Sequence, residues 1–284
     1  MYDSLLKSLE FFSSQDKTIT LQNAFDEQIR NFRFHEAFRN RSVNMRAEAS
    51  FYQSYFLVKS NGCKTDLNEF RKIFISNTNT NDLYHDLFLR LCVANNLIVD
   101  LMPDLQRGIN TKRKSDISLK YLLPKLHSVI SISDKLGIPR QDEAPLSFHI
   151  TSAPCNEELL NRIKILDFLF SSPSLKNTHI RTAIFFAELL LSSPFIDSNY
   201  EIAIILTRLL LCKTGADPTG CIIFDTNFSP INNVFINKLK HYSTGNIDYI
   251  NDWICYFLES MNNSFDSLNS IANSVLAKKL PNWQ

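Results

Sequence analysis

Two long apolar segments lie close together in the second half of the chain. The first is AIFFAELLL at 183–191 and the second is IAIILTRLLL at 202–211. A helix that is hydrophobic on nearly all sides has to be buried. The chain therefore has to fold with these two helices at its centre, and the polar turn between them, SPFIDS at 193–198, rests on a rigid support.

Composition narrows the fold class and the kinds of partner. Only 6 of the 284 residues are glycine, which favours helices over a doubly wound nucleotide fold or an all-β fold. A net charge of +1 gives no electrostatic case for binding to nucleic acid or to an anionic membrane.

The 6 cysteines form no CxxC pair and indicate buried free thiols. The N-terminus does not resemble a signal peptide, and the longest apolar run is broken by Arg208, so we expect a cytoplasmic protein.

Hydrophobic periodicity predicts a mostly helical chain. Helices are predicted over 1–12, 21–59 and 81–102, and another begins near Asp66 with a capping signal at Thr65. Pro124 lies near a turn or kink of the helix at 118–133. The predicted caps of the later helices are Asn156, Asn177 or Thr178, and Ser198 or Asn199, with stops at Gly215 and Gly245.

Two segments do not read as helix. Residues 107–116 are basic and polar, a pattern typical of a solvated loop, although the cluster has the charge to contact phosphate. Residues 146–152, LSFHITS, alternate apolar and polar side chains after two prolines. This alternation predicts a small β-hairpin flap carrying Leu146, Phe148 and Ile150.

The turn at 193–198 has two interpretations. In one it is an ordinary helix–helix connection, with Pro194 for rigidity and Asp197 and Asn199 as caps. In the other it is an anion site, because the free N–H groups and the dipole at the start of a helix favour negative charge.

The residues of the turn resemble the signature of the Fic (Fido) family, His-Pro-Phe-x-(Asp/Glu)-Gly-Asn-Gly-Arg-x-x-Arg. The matching positions are Pro194, Phe195, Asp197 and Asn199, and the flanking segments are similar over about 120–262. The resemblance implies an all-α Fic-like domain at 116–284 with a flap that docks target peptides, and an N-terminal helical extension at 1–115 packed on it. Most members of the family transfer AMP from ATP to a hydroxyl side chain of a target protein.

The departures from the family pattern fall on the residues that carry the chemistry. Ser193 replaces the histidine that acts as general base, and its hydroxyl has no useful basicity near pH 7. Ser198 and Tyr200 replace the two glycines that let the backbone approach phosphate. Glu201 and Ile204 replace the two arginines. A carboxylate at Glu201 is expected to complement the helix dipole, worth about 0.3–1 kcal/mol, and to repel ATP.

The resemblance also assigns a metal ligand and an inhibitory motif. Asp197 stands at the magnesium-binding carboxylate of the family, but it lacks the phosphate partner that Mg²⁺ usually shares. Many Fic proteins carry an inhibitory helix with the pattern Ser/Thr-x-x-x-Glu-Gly/Asn. Its glutamate position falls on Val58 or on Glu48, and we favour Val58.

The scattered histidines indicate no metal site, and His179 reads as a capping or packing residue. The sequence therefore predicts a pseudoenzyme that binds a protein or a ligand, with no cofactor and an unidentified protein partner, either as a monomer or as a homo-oligomer. The alternative is an active transferase of AMP or another phosphate-bearing group to protein hydroxyls, with Mg²⁺ and ATP as cofactors.

Overall fold

The computed structural model describes residues 2–76, 82–103, 118–141, 150, 153–173 and 175–277. Eleven α-helices and one short 3-10 turn make up most of these ranges, which contain no strand, so the predicted all-α fold is confirmed. The helices are α1 (Tyr2–Ser13), α2 (Asp16–Arg33), α3 (Glu36–Ser60), α4 (Leu67–Ser76), α5 (Leu83–Val99), α6 (Leu119–Ile130), α7 (Asn156–Ser171), α8 (Thr178–Ser192), α9 (Asn199–Thr214), α10 (Asn233–Tyr242) and α11 (Ile247–Leu276).

The two apolar helices α8 and α9 form the centre of the fold, as the sequence predicts. They pack against each other, with α7 and α11 against α8, and α5 and α6 against α9. Every side chain of α9 from Asn199 to Cys212 is buried. Because both helices are enclosed by neighbours, the turn between them has little freedom to move.

Aromatic side chains fix α8 against the C-terminal helices. The ring of Phe186 on α8 contacts the rings of Phe224, Phe228, Phe235, Trp253 and Phe257. Trp253 on α11 is fully buried, and its Nε1 donates to the carbonyl oxygen of Ala183 at 2.9 Å. Most phenylalanines of the described ranges are therefore core residues, as the sequence indicates, whereas Phe11 and Phe34 are exposed.

Arg208 is a buried cation inside α9. Its Nε donates to the carbonyl oxygen of Ile222 at 3.0 Å, and Nη1 donates to Oδ1 of Asn95 on α5. Loss of water on burial lowers the pKa of Arg208 to about 10. The residue that interrupts the apolar run thus fastens the buried, non-helical segment 221–224 to the central helices.

The helical pattern predicted over 21–59 is formed by two helices, α2 and α3, which are separated at residues 34–35. His35 begins α3, and its Nδ1 accepts from the backbone N of Ala37 at 3.2 Å. Histidine is not among the usual capping residues, and no glycine or proline marks this break.

Two predicted helix caps also need correction, those of α4 and α7. The side chain that caps the start of α4 is Asp66, whose Oδ1 accepts from Glu69 N at 3.0 Å, and not Thr65. Pro124 lies inside α6, and the turn or kink expected near it stays a prediction. The N-cap position of α7 is Cys155, and Asn156 is the first helical residue.

Several predictions fall on residues outside the described ranges. The basic segment 107–116, the boundary between 1–115 and 116–284, and flap residues Leu146 and Phe148 are among them. Ile150 is half-buried against the core. Among the helices that the structure describes, none combines the length and the apolarity needed to cross a bilayer.

Candidate functional site

The loop at 193–198, which we call the motif loop, joins the end of α8 to the start of α9. Helix ends leave backbone polar groups that need partners. Asn199 supplies two: its Oδ1 accepts from Phe195 N at 2.9 Å, and its Nδ2 donates to Phe195 O at 2.8 Å. These two bonds close the loop into a tight turn above the buried Phe195 ring.

Ser193 ends α8 as a helix cap. It adopts a left-handed conformation with φ of 37° and is almost fully buried. Its Oγ donates to the carbonyl oxygen of Leu190 at 2.7 Å. At the position where the resemblance places a general base, the chain therefore has a hydroxyl that is buried and occupied by its own helix.

The two positions that are glycine in the family pattern behave differently here. Ser198 has a φ of 57°, in the left-handed region that costs a residue with a Cβ about 1–2 kcal/mol. Tyr200 is buried in the first turn of α9, with its hydroxyl oxygen 3.4 Å from Oγ of Ser60. Burial raises the pKa of Tyr200 above its usual range. Ser198 thus has a backbone conformation that glycine adopts readily, while at position 200 a large buried side chain stands where the family pattern has glycine.

Glu201 has a buried carboxyl group in the same turn. Its Oε1 accepts from Nδ2 of Asn61, just after α3, at 2.8 Å. Burial raises the pKa of Glu201, against the opposing hydrogen bonds from Asn61 and from its own backbone amide. The expected stabilisation by the helix dipole assumed an exposed carboxylate. In the fold, loss of water is the larger effect and disfavours the charge.

Replacing Glu201 by glutamine should raise the free energy of unfolding at neutral pH and change it little at about pH 4. Because the folded-state pKa is raised, the folded state keeps this proton to a higher pH than the unfolded state. Wild-type stability therefore falls as pH rises through the window between the two pKa values. Glutamine keeps the acceptor for Asn61 and has no charge to bury. Urea denaturation across this pH range measures the difference.

The control for this prediction is Glu259, whose side chain is 44% exposed and pairs with Lys17. Glu259→Gln should change stability by less than about 1 kcal/mol at neutral pH. If Glu201→Gln instead destabilises the protein most strongly at neutral pH, the carboxylate is favoured in its charged form and the argument is wrong.

Asp197 lies between two donors at the end of α6. Nε2 of His127 is 3.0 Å from Oδ1, and Oγ of Ser131 donates to Oδ2 at 2.9 Å. The His127 ring stacks on Phe195, with 4.1 Å between the ring centroids. Gly137 N donates to Nδ1 of His127 at 2.8 Å, so the hydrogen is on Nε2, which donates to Asp197. Burial lowers the pKa of His127 against the opposing effect of Asp197, and this agrees with a neutral ring.

Arg140 holds the other side of the motif loop. Its Nε donates to Ser193 O at 2.6 Å, its Nη2 donates to Ser192 O at 3.0 Å, and its backbone N donates to Pro194 O at 2.9 Å. These carbonyls lie at the C-terminal end of α8, where the helix dipole favours a cation. Arg140 is therefore a cap for α8 brought in from a distant segment.

The remaining predicted positions do not gather at the motif loop. Ile204 and Val58 are fully buried in the hydrophobic core. Glu48 is buried in a two-point ion pair with Arg71 of α4, at 3.0 and 2.8 Å. The residue near the end of α3 that does contact a motif position is Asn61, through Glu201. The assignment of Val58 or Glu48 to the inhibitory motif stays a prediction.

His179 lies at the start of α8, at the opposite end of that helix from the motif loop. Its ring packs edge-on against Phe25, and its Nε2 lies 3.2 Å from a carboxylate oxygen of Asp26. His179 is therefore a packing residue, as the sequence indicates. Across the described ranges, no three His, Cys, Asp or Glu side chains come together as they would around a metal ion.

The residues around the motif loop do not fit Mg²⁺ or a triphosphate. Mg²⁺ is usually held by one or two carboxylates together with substrate phosphates. Beside Asp197, the motif has Glu201 and Ile204 where the family pattern has the arginines that bind phosphate. At the start of α9, where an anion would meet free N–H groups, the buried side chains of Tyr200 and Glu201 lie instead. A carboxylate at this place is the wrong partner for a phosphate.

Comparison of the sequence with known proteins finds no match, whereas comparison of the structure finds proteins of similar fold. No protein-family model matches the sequence, and no curated protein matches it either. A Fic family protein from Desulfovibrio desulfuricans G20 superposes with a TM-score of 0.65 at 12% identity, over 90% of this chain and 75% of that one. Fic-1 from C. elegans gives a TM-score of 0.65 at 14% identity, over 89% and 73%.

A Fic domain containing signaling protein from Bacteroides thetaiotaomicron VPI-5482 gives a TM-score of 0.64 at 11% identity, over 89% of this chain and 98% of that one. At such identities the likeness speaks for the fold and not for the activity. The chain has the Fic fold, as its resemblance to the family signature predicts.

Proposed function

We propose that this Fic-fold chain has lost AMP transfer and serves in the cytoplasm as a scaffold that binds a protein partner. The observation that carries the proposal is the buried Glu201, which occupies the start of α9 together with Tyr200. A transferase needs donors and cations around the phosphates of its nucleotide. Here the same place holds a carboxyl group and a phenol ring.

The state of the other catalytic positions supports the same conclusion. Ser193 has no basicity near pH 7, and its hydroxyl is bonded to Leu190 O. Asp197 is engaged by His127 and Ser131. At the motif positions that the structure describes, neither Ser193 nor Glu201 therefore has the chemistry for general-base catalysis or for phosphate stabilisation.

A binding role is supported by aliphatic side chains exposed beside the motif loop. Ile196 lies on the loop itself, and Ile132, Leu136 and Ile138 lie on the segment that contacts it. Each is between 49% and 68% exposed. Such side chains suit an apolar protein surface better than a nucleotide, so a protein is the partner class that we propose.

Purified protein incubated with labelled ATP and Mg²⁺ should transfer no AMP to itself or to proteins of a cell extract. An active Fic transferase assayed in parallel shows that the assay works, and Asp197→Asn sets the background.

Cross-linking in the same extract tests whether the protein binds a partner. Asp197→Asn should capture the same proteins as wild type, because it keeps the shape of the loop. Ile132→Ser with Ile138→Ser should lose them, while Ile231→Ser, equally exposed but outside the loop region, should not.

The alternative transferase predicts the opposite pattern. Labelling of target proteins that is lost in Asp197→Asn would show that the carboxylate performs chemistry. Capture that is insensitive to the paired isoleucine variant would place the binding surface elsewhere.

A further inference from the structure

Residues 131–140, which we call the strap, leave the end of α6 and run alongside the motif loop. At the start of the strap, Oγ of Ser131 donates to Asp197 Oδ2 at 2.9 Å, and its carbonyl oxygen accepts from Nη1 of Arg90 on α5 at 2.7 Å. At the end of the strap, the three bonds of Arg140 reach Ser192, Ser193 and Pro194. The strap is thus fastened to the loop at both ends.

The middle of the strap is held through the same carboxylate. Gly137 N donates to Nδ1 of His127, whose Nε2 donates to Asp197 Oδ1. Gly137 has a φ of 70°, and a Cβ added there would lie 3.0 Å from the carbonyl oxygen of Pro124 on α6. Glycine therefore meets both a backbone requirement and a close approach of the strap to the helix.

We propose that Asp197 is a positioning residue that locks the strap onto the motif loop, with His127 relaying the contact to Gly137 and Arg140 closing the other end. This assignment rests on the proposed function, because it requires a carboxylate that is free of catalytic work. The lock fixes one arrangement of Ile132, Leu136 and Ile138, the exposed side chains of the binding surface. Both carboxylate oxygens are used, one for each donor, so the role needs a planar two-pronged group more than a charge.

Asp197→Asn distinguishes the need for a planar group with two hydrogen-bonding atoms from the need for a negative charge. In Asp197→Asn the side-chain oxygen can accept from His127 while the amide nitrogen donates to Oγ of Ser131, so the strap stays fastened. In Asp197→Ala both contacts are lost, and the side chain is exposed enough that the core is not opened. Ser131→Ala removes only one contact.

Amide hydrogen exchange on the full chain tests the proposal. In Asp197→Ala the amides of Gly137 and Arg140 should exchange roughly tenfold faster or more than in wild type, while those of α8 and α11 keep their rates. Asp197→Asn should match wild type, and Ser131→Ala should fall between them. These readouts are local, so a general loss of stability would not produce them.

Two results would overturn the lock. Strap amides that exchange at the wild-type rate in Asp197→Ala would show that Asp197 does not hold the strap. Equal acceleration of the α8 and α11 amides would show that its role is general stability. Neither result bears on AMP transfer. AMP labelling lost in both Asp197→Asn and Asp197→Ala would overturn the proposed function, and with it the claim that Asp197 is free of catalytic work, whereas the exchange rates of the strap amides would still report whether Asp197 holds the strap.

Discussion

Replacing Trp253 by alanine should lower the free energy of unfolding by about 3–5 kcal/mol. The indole is fully buried between α8 and the C-terminal helices, and its ring contacts Phe186, Phe235 and Tyr242. Alanine leaves a cavity and removes the donor to Ala183 O. Urea denaturation followed by circular dichroism measures the change, with the midpoint shifting and the slope nearly constant.

Two controls separate packing from other causes. Trp253→Phe keeps an aromatic ring and loses mainly the indole hydrogen bond and part of the volume, so it should cost about 1–2 kcal/mol. Tyr121→Ala, at a side chain that is 76% exposed on α6, should stay within about 0.5 kcal/mol of wild type. A loss below 1 kcal/mol in Trp253→Ala would mean that α11 does not hold α8 in place.

The central part of the fold is predictable because its signal is local. The segments at 183–191 and 202–211 have no polar face, and a helix of that kind is stable only when it is buried. The break between α2 and α3 could not be predicted in the same way. It depends on the His35 side chain, which caps α3 by accepting from Ala37 N, and histidine is not among the residues whose presence usually signals a helix start.

The residues of the candidate site likewise differ in whether the sequence predicts them. The motif loop is contiguous, so Pro194, Asp197 and Asn199 could be read together from the sequence. His127 and Arg140 join the site from positions 70 and 53 residues from the loop residues that they contact. Neither has a motif or a ligand spacing, and only the packing of α6 beside α9 brings them to the loop.

The charge state of Glu201 shows a further limit of sequence reasoning. Its place in the first turn of a helix correctly predicts a contact with a backbone N–H group, which is its own. Its burial depends on α3, which ends at Ser60 and is far away in the sequence. The sign of its contribution to stability therefore follows from the fold and could not be read from the turn alone.

Mg²⁺–ATP should bind this protein no more tightly than about 1 mM, equivalent to only about 4 kcal/mol of binding free energy. A phosphate needs N–H groups and cations at the start of α9, and these positions carry Tyr200 and Glu201, both buried. The arginine of the strap, Arg140, already donates to the carbonyls of Ser192 and Ser193. Entry of a triphosphate would have to displace buried side chains and to approach a carboxyl group.

Calorimetric titration of the unmodified protein with Mg²⁺–ATP is the measurement, and ADP is the competitor. Glu201→Gln is the matched variant: it removes the negative charge and keeps the shape, so it should also fail to bind if Tyr200 fills the site. Combining Glu201→Arg with Ser198→Gly and Tyr200→Gly should tighten binding, because it restores the cation and the close backbone approach. Micromolar affinity of the wild-type chain, competed by ADP, would instead make the loop a nucleotide site. The transferase alternative would then replace the scaffold as the function that the loop supports best.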